Sequence, residues 1–252
     1  MTNNTRNVED STLKGLKALI VGSSGGIGFS IARSLAIAGV NLVVHGRDAK
    51  RIEARITELE SLGANAQALC ADLSSGIPPE TLLTESRHCD ILVMAYGPFL
   101  YKPLCETTAQ DWQMAALGCL ALPGALATEA ANAMASRGFG RILLFGGTRT
   151  DAIRGFKSNA AYAAAKTGIG VLAKSIAAEF SGKGVSCSVL CPGFVDTEYM
   201  DDETRTRLEA TSARGRLIPV SRIADLALAL LSGGMDIANG SIIVADEGLY
   251  SL

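Results

Sequence analysis

Short apolar runs alternate along the chain with longer segments in which apolar residues recur at the helical period. The runs are rich in β-branched residues and end at Gly, Asn or Asp, which predicts strands. They cover residues 16–22, 41–46, 65–72, 90–97, 140–147, 185–193 and 241–248. The helical period predicts helices over 27–38, 49–61, 111–135, 159–180 and 223–231, and a charged helical segment over 199–216. Strands and helices therefore alternate.

Most of the predicted strands are apolar at nearly every position, so both of their faces must be covered. This pattern predicts an α/β fold with a doubly wound, mostly parallel seven-stranded sheet and helices on both faces. The chain of 252 residues is short enough for one domain, which we place at 13–252 after a flexible polar extension at 1–12. Ligands of such a sheet bind beyond the carboxyl ends of its strands.

Composition and charge narrow the range of functions. The net charge of −2 gives no basic field for nucleic acid, and residues 1–12 lack an apolar signal segment, so we expect a cytoplasmic protein. Residues 115–135 are nearly uncharged, but Pro123, Glu129 and Asn132 favour a packed core helix over a membrane span. The six cysteines show no metal-ligand spacing, which predicts reduced, buried thiols and no metal site.

A glycine-rich turn follows the first predicted strand and opens a helix. Gly22, Gly26 and Gly28 have the spacing G-x-x-x-G-x-G, with the hydroxyls of Ser23 and Ser24 inside the turn. Glycines let backbone N–H groups approach phosphate oxygens, and the helix N-terminus adds partial positive charge. We interpret this loop, including Ile27, as the binding site for a dinucleotide pyrophosphate. An ordinary turn between a strand and a helix is the alternative.

The residue after the second predicted strand bears on the choice of cofactor. Arg47 stands where a domain that prefers NAD would place a carboxylate against the ribose 2′-hydroxyl. A guanidinium pairs with a 2′-phosphate, so Arg47 favours NADP(H) over NAD(H). Asp48 beside it weakens that field, and a solvated arginine at a helix start is the alternative.

The segment NAAYAAAK, residues 159–166, holds one phenol and one ammonium among small residues. Tyr162 and Lys166 are spaced i, i+4 and therefore share a helix face. A nearby cation favours the phenolate, which predicts a lowered pKa for Tyr162 and a role in proton transfer. A packing tyrosine beside a surface lysine is the alternative.

Several ordered motifs together resemble the short-chain dehydrogenase/reductase family. They are the glycine turn, Ala71-Asp72-Leu73, Tyr162-x-x-x-Lys166, Pro192-Gly193 and the acidic segment 246–248. The resemblance implies a single Rossmann-like domain, a homodimer or homotetramer, and hydride transfer between a nicotinamide cofactor and a small carbonyl or alcohol substrate.

The resemblance also implies roles for individual residues. Tyr162 would be the general acid in reduction and the base in oxidation, and Lys166 would bind the nicotinamide ribose. Asp72 would meet the adenine amino group and Leu73 would pack beside that ring. The remaining cofactor contacts would come from Ala95, Gly97, Pro192, Gly193, Val195 and Thr197.

The chain departs from the family pattern at three places. Val21 and the segment Met94-Ala95-Tyr96-Gly97 replace a pair of polar sites that meet across neighbouring strands, and packing can replace that pair. Cys119 replaces a helical asparagine whose carbonyl still serves, with an altered helix bend near Gly118 and Pro123.

The third departure concerns the catalytic serine. Gly147 occupies the usual serine position, and Thr148 is the nearest hydroxyl that can replace it, with Thr150 a poorer candidate. A loop threonine that satisfies local backbone is the alternative. These departures leave a second hypothesis open, a dinucleotide-binding scaffold or redox sensor with weakened catalysis.

Two further groups of residues fall near the expected substrate site. Phe99 and Tyr101 follow the fourth strand and either wall a substrate pocket or pack in the core. The charged segment 199–216 stands where relatives carry a substrate lid. Its arginines either attract an acidic or phosphorylated substrate or solvate the helix; they are Arg205, Arg207, Arg214 and Arg216.

Overall fold

Each predicted apolar run forms a strand in the computed structural model, which describes residues 13–212, 214–232 and 236–250. The expected extension at 1–12 lies outside these residues. The strands are β1 Lys17–Val21, β2 Asn41–Gly46, β3 Ala66–Cys70, β4 Ile91–Met94, β5 Gly140–Phe145, β6 Val185–Pro192, β7 Val195–Asp196, β8 Ile218–Pro219 and β9 Ile242–Ala245.

The predicted helices are also present. The helices are α1 Gly26–Ile37, α2 Ala49–Ser61, α3 Glu80–His88, α4 Ala109–Ala116, α5 Leu122–Arg137, α6 Ala160–Phe180, α7 Asp202–Thr211 and α8 Val220–Leu231. Helix α3 was not predicted, because only Leu82 and Ser86 of its nine residues are buried and its apolar pattern is correspondingly weak.

Seven strands form one parallel sheet in the order β3-β2-β1-β4-β5-β6-β9. The sheet order reverses between β1 and β4, which pair with each other although β2 and β3 lie between them in sequence. The doubly wound prediction is therefore confirmed. Strands β7 and β8 form a separate short parallel pair above the carboxyl end of β6 that the sequence pattern did not indicate.

The core has one layer on each face of the sheet. Alternate residues of β1 point to opposite faces, so Ala18 and Ile20 pack with α1 and α8, while Leu19 and Val21 pack with α5 and α6. Burying one such aliphatic side chain contributes roughly 1.5–3 kcal/mol. Apolar content at every strand position is thus explained by helices on both faces.

Two departures from the family pattern are accommodated by packing. Val21 and Met94 are neighbours in the β1–β4 register, and both are buried in the same apolar layer. These two positions are therefore held by apolar packing. The long predicted helix is divided by a π-helical segment, Leu117–Ala121, which contains Gly118 and Cys119.

The stretch Ala109–Arg137 is long and apolar enough to cross a membrane. Half of its most apolar window is nevertheless buried inside the fold, where Leu122, Leu126 and Met134 join the core. These contacts are those of a core helix. The cysteine prediction is correct for four thiols, whereas Cys70 and Cys105 are exposed.

Candidate active site

Glycines at the end of β1 are required by close backbone contacts. A Cβ on Gly22, whose φ is +82°, would lie 2.9 Å from Tyr96 Cα, and one on Gly28 would lie 2.3 Å from Gly22 O. Gly26 also has a positive φ of +53°. The turn therefore brings bare backbone to the N-terminus of α1, at the sheet's switch point.

The two serines of this turn differ in what they do. Ser23 is fully buried, where its Oγ donates to Ile20 O at 2.6 Å and accepts from His45 N at 3.1 Å. Its hydroxyl therefore joins β1 to β2, and the expectation that it faces a phosphate is wrong. Ser24 is half-buried, and its carbonyl accepts from Arg51 Nε at 2.9 Å.

His45 supports the same turn from β2, a role that the sequence analysis missed. Its Nδ1 accepts from Gly22 N at 3.2 Å, so the proton lies on Nε2, which donates to Ala71 O at 3.1 Å. Burial lowers the pKa of His45. A histidine that ends an otherwise apolar strand beside a glycine turn was the available signal.

An internal carboxylate already binds the N-terminus of α1. Glu198 accepts from Gly26 N through both oxygens, at 3.1 Å and 3.0 Å. Arg51 Nη2 donates to Glu198 Oε1 at 2.9 Å and to the Tyr199 hydroxyl at 3.1 Å. The loop after β7 is therefore fastened over the glycine turn, with a negative group at the position expected for a pyrophosphate.

Arg47 lies exposed after β2, as the sequence predicts. The neighbouring Asp48 is turned to α2, where its carboxylate caps the helix by accepting from Arg51 N at 3.1 Å. Asp72 is exposed nearby, and hydrogen bonds from Ser74, with a smaller effect of Arg47, lower the pKa of its carboxyl.

Leu73 does not offer its side chain to an adenine ring. It is only 2% exposed and belongs to the apolar layer beneath α5. The expected packing beside the ring is therefore not available to this side chain.

Tyr162 and Lys166 lie on the first two turns of α6, whose alanines allow close packing against the sheet. Tyr162 is half-buried, whereas Lys166 is only 5% exposed, and its Nζ donates to Phe145 O at 2.9 Å. The Nζ lies 5.9 Å from the centroid of the Tyr162 ring. Burial lowers the pKa of Lys166.

The predicted lowering of the Tyr162 pKa is not seen. Burial of the phenol is the main cause that raises this pKa, and the Cys119 and Cys191 thiols add to it. The ammonium is engaged by the Phe145 carbonyl and so does not act strongly on the phenol. Burial therefore favours the neutral phenol over the phenolate.

Gly97 and Gly147 surround this pair closely. A Cβ on Gly97 would lie 3.1 Å from Lys166 Nζ and 3.2 Å from Cys119 Sγ. A Cβ on Gly147 would lie 2.9 Å from Tyr162 Cε1 and 3.1 Å from its hydroxyl. The Tyr162 ring therefore uses the space that a serine at 147 would need.

Of the two candidate threonines, only Thr148 lines the cavity with Tyr162. Thr148 Oγ1 donates to Pro192 O at 3.0 Å, at the end of β6. Thr150 is buried and bonds to both backbone groups of Gly147, accepting from N at 2.7 Å and donating to O at 3.0 Å. Thr150 is thus a structural residue.

The expected nicotinamide side lies at the carboxyl end of β6. Pro192, Gly193 and Val195 are buried, and Gly193 N donates to Ala245 O at 3.0 Å. Thr197 is half-buried near Gly26. Ala95 packs beside the glycine turn, because a Cβ on Gly28 would lie 3.1 Å from the Cβ of Ala95. These residues border the same edge of the sheet.

A cavity of about 420 Å³ opens beside Tyr162. Thr148, Gly193 and Val195 share it with Tyr162, so the proposed donors and the end of β6 face one space. Apolar side chains supply much of the remaining wall, namely Phe99, Tyr101, Phe194, Met200 and Leu208. The structure therefore places Phe99 and Tyr101 on a pocket rather than in the core.

A parallel doubly wound sheet, a glycine turn at its switch point and a tyrosine–lysine helix beside a cavity define a Rossmann-type α/β protein. A family model described as enoyl-(acyl carrier protein) reductase matches residues 21–250. The chain therefore belongs to the short-chain dehydrogenase/reductase family, whose members are oxidoreductases.

Relatives and solved structures agree with this assignment. The chain is 28% identical to 3-oxoacyl-(acyl-carrier-protein) reductase FabG of Escherichia coli, over 94% of this chain and 98% of that protein. It is 26% identical to gluconate 5-dehydrogenase of Gluconobacter oxydans, over 94% and 96%. The structure of a 3-oxoacyl-(acyl-carrier-protein) reductase from Agrobacterium tumefaciens C58 with NADP bound matches with a TM-score of 0.88 at 27% identity, over 97% and 98%.

Proposed function

We propose that the protein is an NADP(H)-dependent reductase of a ketone or oxo-thioester, with Tyr162 as the proton donor. The observation that carries the proposal is the shared cavity, which is lined by Tyr162 and Thr148 together with Gly193, directly after β6. The carbonyl–alcohol chemistry is that of the family relatives. The substrate and the preference for NADP(H) are our inference.

The residues of the glycine turn fit a dinucleotide. A Cβ at Gly22 or Gly28 would clash with neighbouring backbone, so the turn approaches the start of α1 without side chains, and Gly26 N at that helix start already binds an anion, the carboxylate of Glu198. The pyrophosphate would be held there, the 2′-phosphate by Arg47, and the adenine beside Asp72. Two solved structures similar to this chain, at 27% and 25% identity, contain NADP.

NADPH, when bound, supplies the hydride. Tyr162 holds the carbonyl oxygen of the substrate and transfers its proton there as negative charge develops, which typically contributes about 10²–10⁴ in rate. Thr148 rotates its O–H from Pro192 O toward the same oxygen. Lys166 holds the ribose, and a protonated ammonium beside the phenol would then favour its ionised form. Apolar side chains form much of the wall of this cavity.

The cofactor assignment is tested by titrating NADPH and NADH into Arg47→Gln. Loss of a charge-assisted hydrogen bond costs about 1.5–3 kcal/mol, so the Kd for NADPH should rise about 10- to 100-fold while that for NADH stays constant. Lys50→Gln is the matched control, since Lys50 is exposed on the same helix start. An unchanged ratio of the two Kd values would contradict the role of Arg47.

The reaction is tested with a panel of a ketone, an aldehyde, a 3-oxoacyl thioester and an enoyl thioester, followed by NADPH absorbance. Thr148→Ala should lower turnover about 10²–10³-fold, as for other lost oxyanion donors, and Thr148→Ser should retain it. Normal turnover of Thr148→Ala would remove Thr148 from the mechanism. Tight NADPH binding with no turnover of any compound would support the scaffold or sensor hypothesis instead.

We also infer a cytoplasmic homodimer or homotetramer that acts on a small molecule and binds neither nucleic acid nor membrane. Large apolar side chains are exposed on α4, on the π-helical segment and on α6, which pack together; they are Trp112, Met114, Leu117 and Val171. Light scattering tests the oligomer: a monomeric mass at micromolar concentration would contradict it.

A further inference from the structure

The cavity beside Tyr162 continues into a second space of about 570 Å³. The two spaces share Tyr101, Thr148, Asn159, Phe194, Arg207 and Leu208 as walls, so they are parts of one channel. The second space is also lined by Arg149 and Lys157. Among the described residues, no Asp or Glu lines either part, and the outer end of the channel is therefore positively charged.

The arginines of this channel are not used by ion pairs within the described chain. Arg207 lies 5.9 Å from the centroid of the Tyr101 ring, and Arg149 lies 4.8 Å from that of Tyr250. Arg207 helps to lower the pKa of Asp201, but that carboxylate accepts a hydrogen bond from Thr204 N. Arg149 helps to lower the pKa of Asp151, but that carboxylate pairs with Arg154. Other arginines of this region do form ion pairs; these are Arg205 with Asp196, and Arg214 and Arg216 with Glu247.

Arg149 also has a backbone conformation that arginine rarely adopts. Its φ is +64°, although it carries a side chain, and it directly follows Thr148. Such conformations cost energy and are found where the surrounding structure fixes a functional side chain. Here the conformation belongs to the loop that directs Thr148 inward and Arg149 to the channel.

A row of aromatic rings connects Tyr162 to the positively charged end of the channel. The ring centroids of Tyr162 and Phe99 are 5.2 Å apart, and those of Phe99 and Tyr101 are 6.5 Å apart. Arg207 follows beside Tyr101. A substrate whose carbonyl reaches Tyr162 therefore passes over apolar rings before its far end meets a guanidinium.

We propose that the substrate is an oxo compound with an apolar segment that ends in an anionic group, a carboxylate or a phosphate, bound by Arg207 and Arg149. This inference rests on the proposed reductase function and names its substrate class. Guanidinium groups bind both anions through charged, paired hydrogen bonds. Lys157 adds positive charge at the same end.

The test compares substrates that differ only at the far end. NADPH-dependent reduction of 7-oxooctanoate, its methyl ester and the corresponding phosphate monoester is measured at equal chain length. We expect kcat/KM for the acid or the phosphate to exceed that for the ester about fivefold or more, through KM. A preference for the carboxylate identifies the substrate as a free acid, and a preference for the phosphate identifies it as a compound attached to a phosphorylated carrier.

Variants assign the preference to the channel. Arg207→Gln and Arg149→Gln should each reduce the ratio of kcat/KM for the anionic substrate to kcat/KM for the ester about three- to fivefold. Arg207→Lys should retain part of it. Arg205→Gln is the matched control on the same helix, because Arg205 pairs with Asp196 and lines neither cavity.

The outcomes separate this inference from the proposed function. Equal kcat/KM for all three probes would overturn the substrate class and leave the reductase function standing. A preference that survives in both glutamine variants would overturn the assignment to these arginines. Absence of turnover with these probes and with the full carbonyl panel would overturn the reductase function and this inference with it.

Discussion

Replacing Glu198 should change cofactor binding in a direction that its contacts dictate. In the free protein its carboxylate accepts from Gly26 N and pairs with Arg51 Nη2 at 2.9 Å, while Arg55 Nη2 lies 4.0 Å away. A pyrophosphate at the N-terminus of α1 must displace this carboxylate. We therefore expect Glu198→Gln to bind NADPH more tightly than the natural protein.

The size of the effect follows from the exposure of these groups. The Glu198 side chain is 43% exposed and that of Arg51 is 37% exposed, so solvent screens their attraction. An exposed ion pair contributes about 0.2–1 kcal/mol, and an anion at a helix N-terminus about 0.3–1 kcal/mol. Gln keeps the acceptor oxygen but loses the charge. The Kd for NADPH should then fall about 2- to 30-fold, which corresponds to about 0.5–2 kcal/mol.

Fluorescence titration with NADPH and thermal melting of the free protein measure the two sides of this exchange. The free variant should melt about 1–8 °C lower, since the internal contact worth about 0.5–2 kcal/mol is weakened. Glu53→Gln is the control, because Glu53 is exposed on α2 and forms no ion pair with the described residues of the turn. Unchanged or weaker NADPH binding by Glu198→Gln would refute the competition between carboxylate and cofactor.

Three further changes test other parts of the site. Because burial puts the folded pKa of His45 below 6.5, the unfolded chain binds more protons just below that pH. The free energy of unfolding should therefore fall as the pH drops below about 6.5. Urea unfolding at several pH values should show that this pH dependence is smaller in His45→Gln. Gly28→Ala places a methyl group 2.3 Å from Gly22 O. Urea unfolding should then show a free energy of unfolding lower by about 1–3 kcal/mol, and NADPH binding should be lost. A variant with natural stability and affinity would be inconsistent with the contact. Gly147→Ser should lower kcat, since the new side chain crowds Tyr162, and a gain in kcat would show that the ring has room to move.

The fold was predictable because its signals are repeated along the chain. Each strand of the main sheet carries its own apolar run, and covered strands of this kind permit few arrangements. Helix α3 and the β7–β8 pair were missed because their stability depends on contacts with other elements rather than on a strong local pattern.

The glycine turn could be predicted, because its function depends on a spacing of glycines within one short segment of the sequence. The site was not predictable where the partner of a residue is distant in sequence. Glu198 contacts Gly26 across 172 residues, and Ser23 turns inward because His45 is beside it. The spacing of Tyr162 and Lys166 gave a shared helix face but not the Phe145 carbonyl that engages the ammonium.

The most direct test of the mechanism is the single-turnover rate of NADPH oxidation by a reducible carbonyl substrate in Tyr162→Phe. Phenylalanine keeps the ring contact with Phe99 and removes only the hydroxyl. We predict a rate about 10²–10⁴-fold lower, with the Kd for NADPH nearly unchanged. A Tyr162→Phe protein that oxidises NADPH at the natural rate would contradict proton transfer by Tyr162.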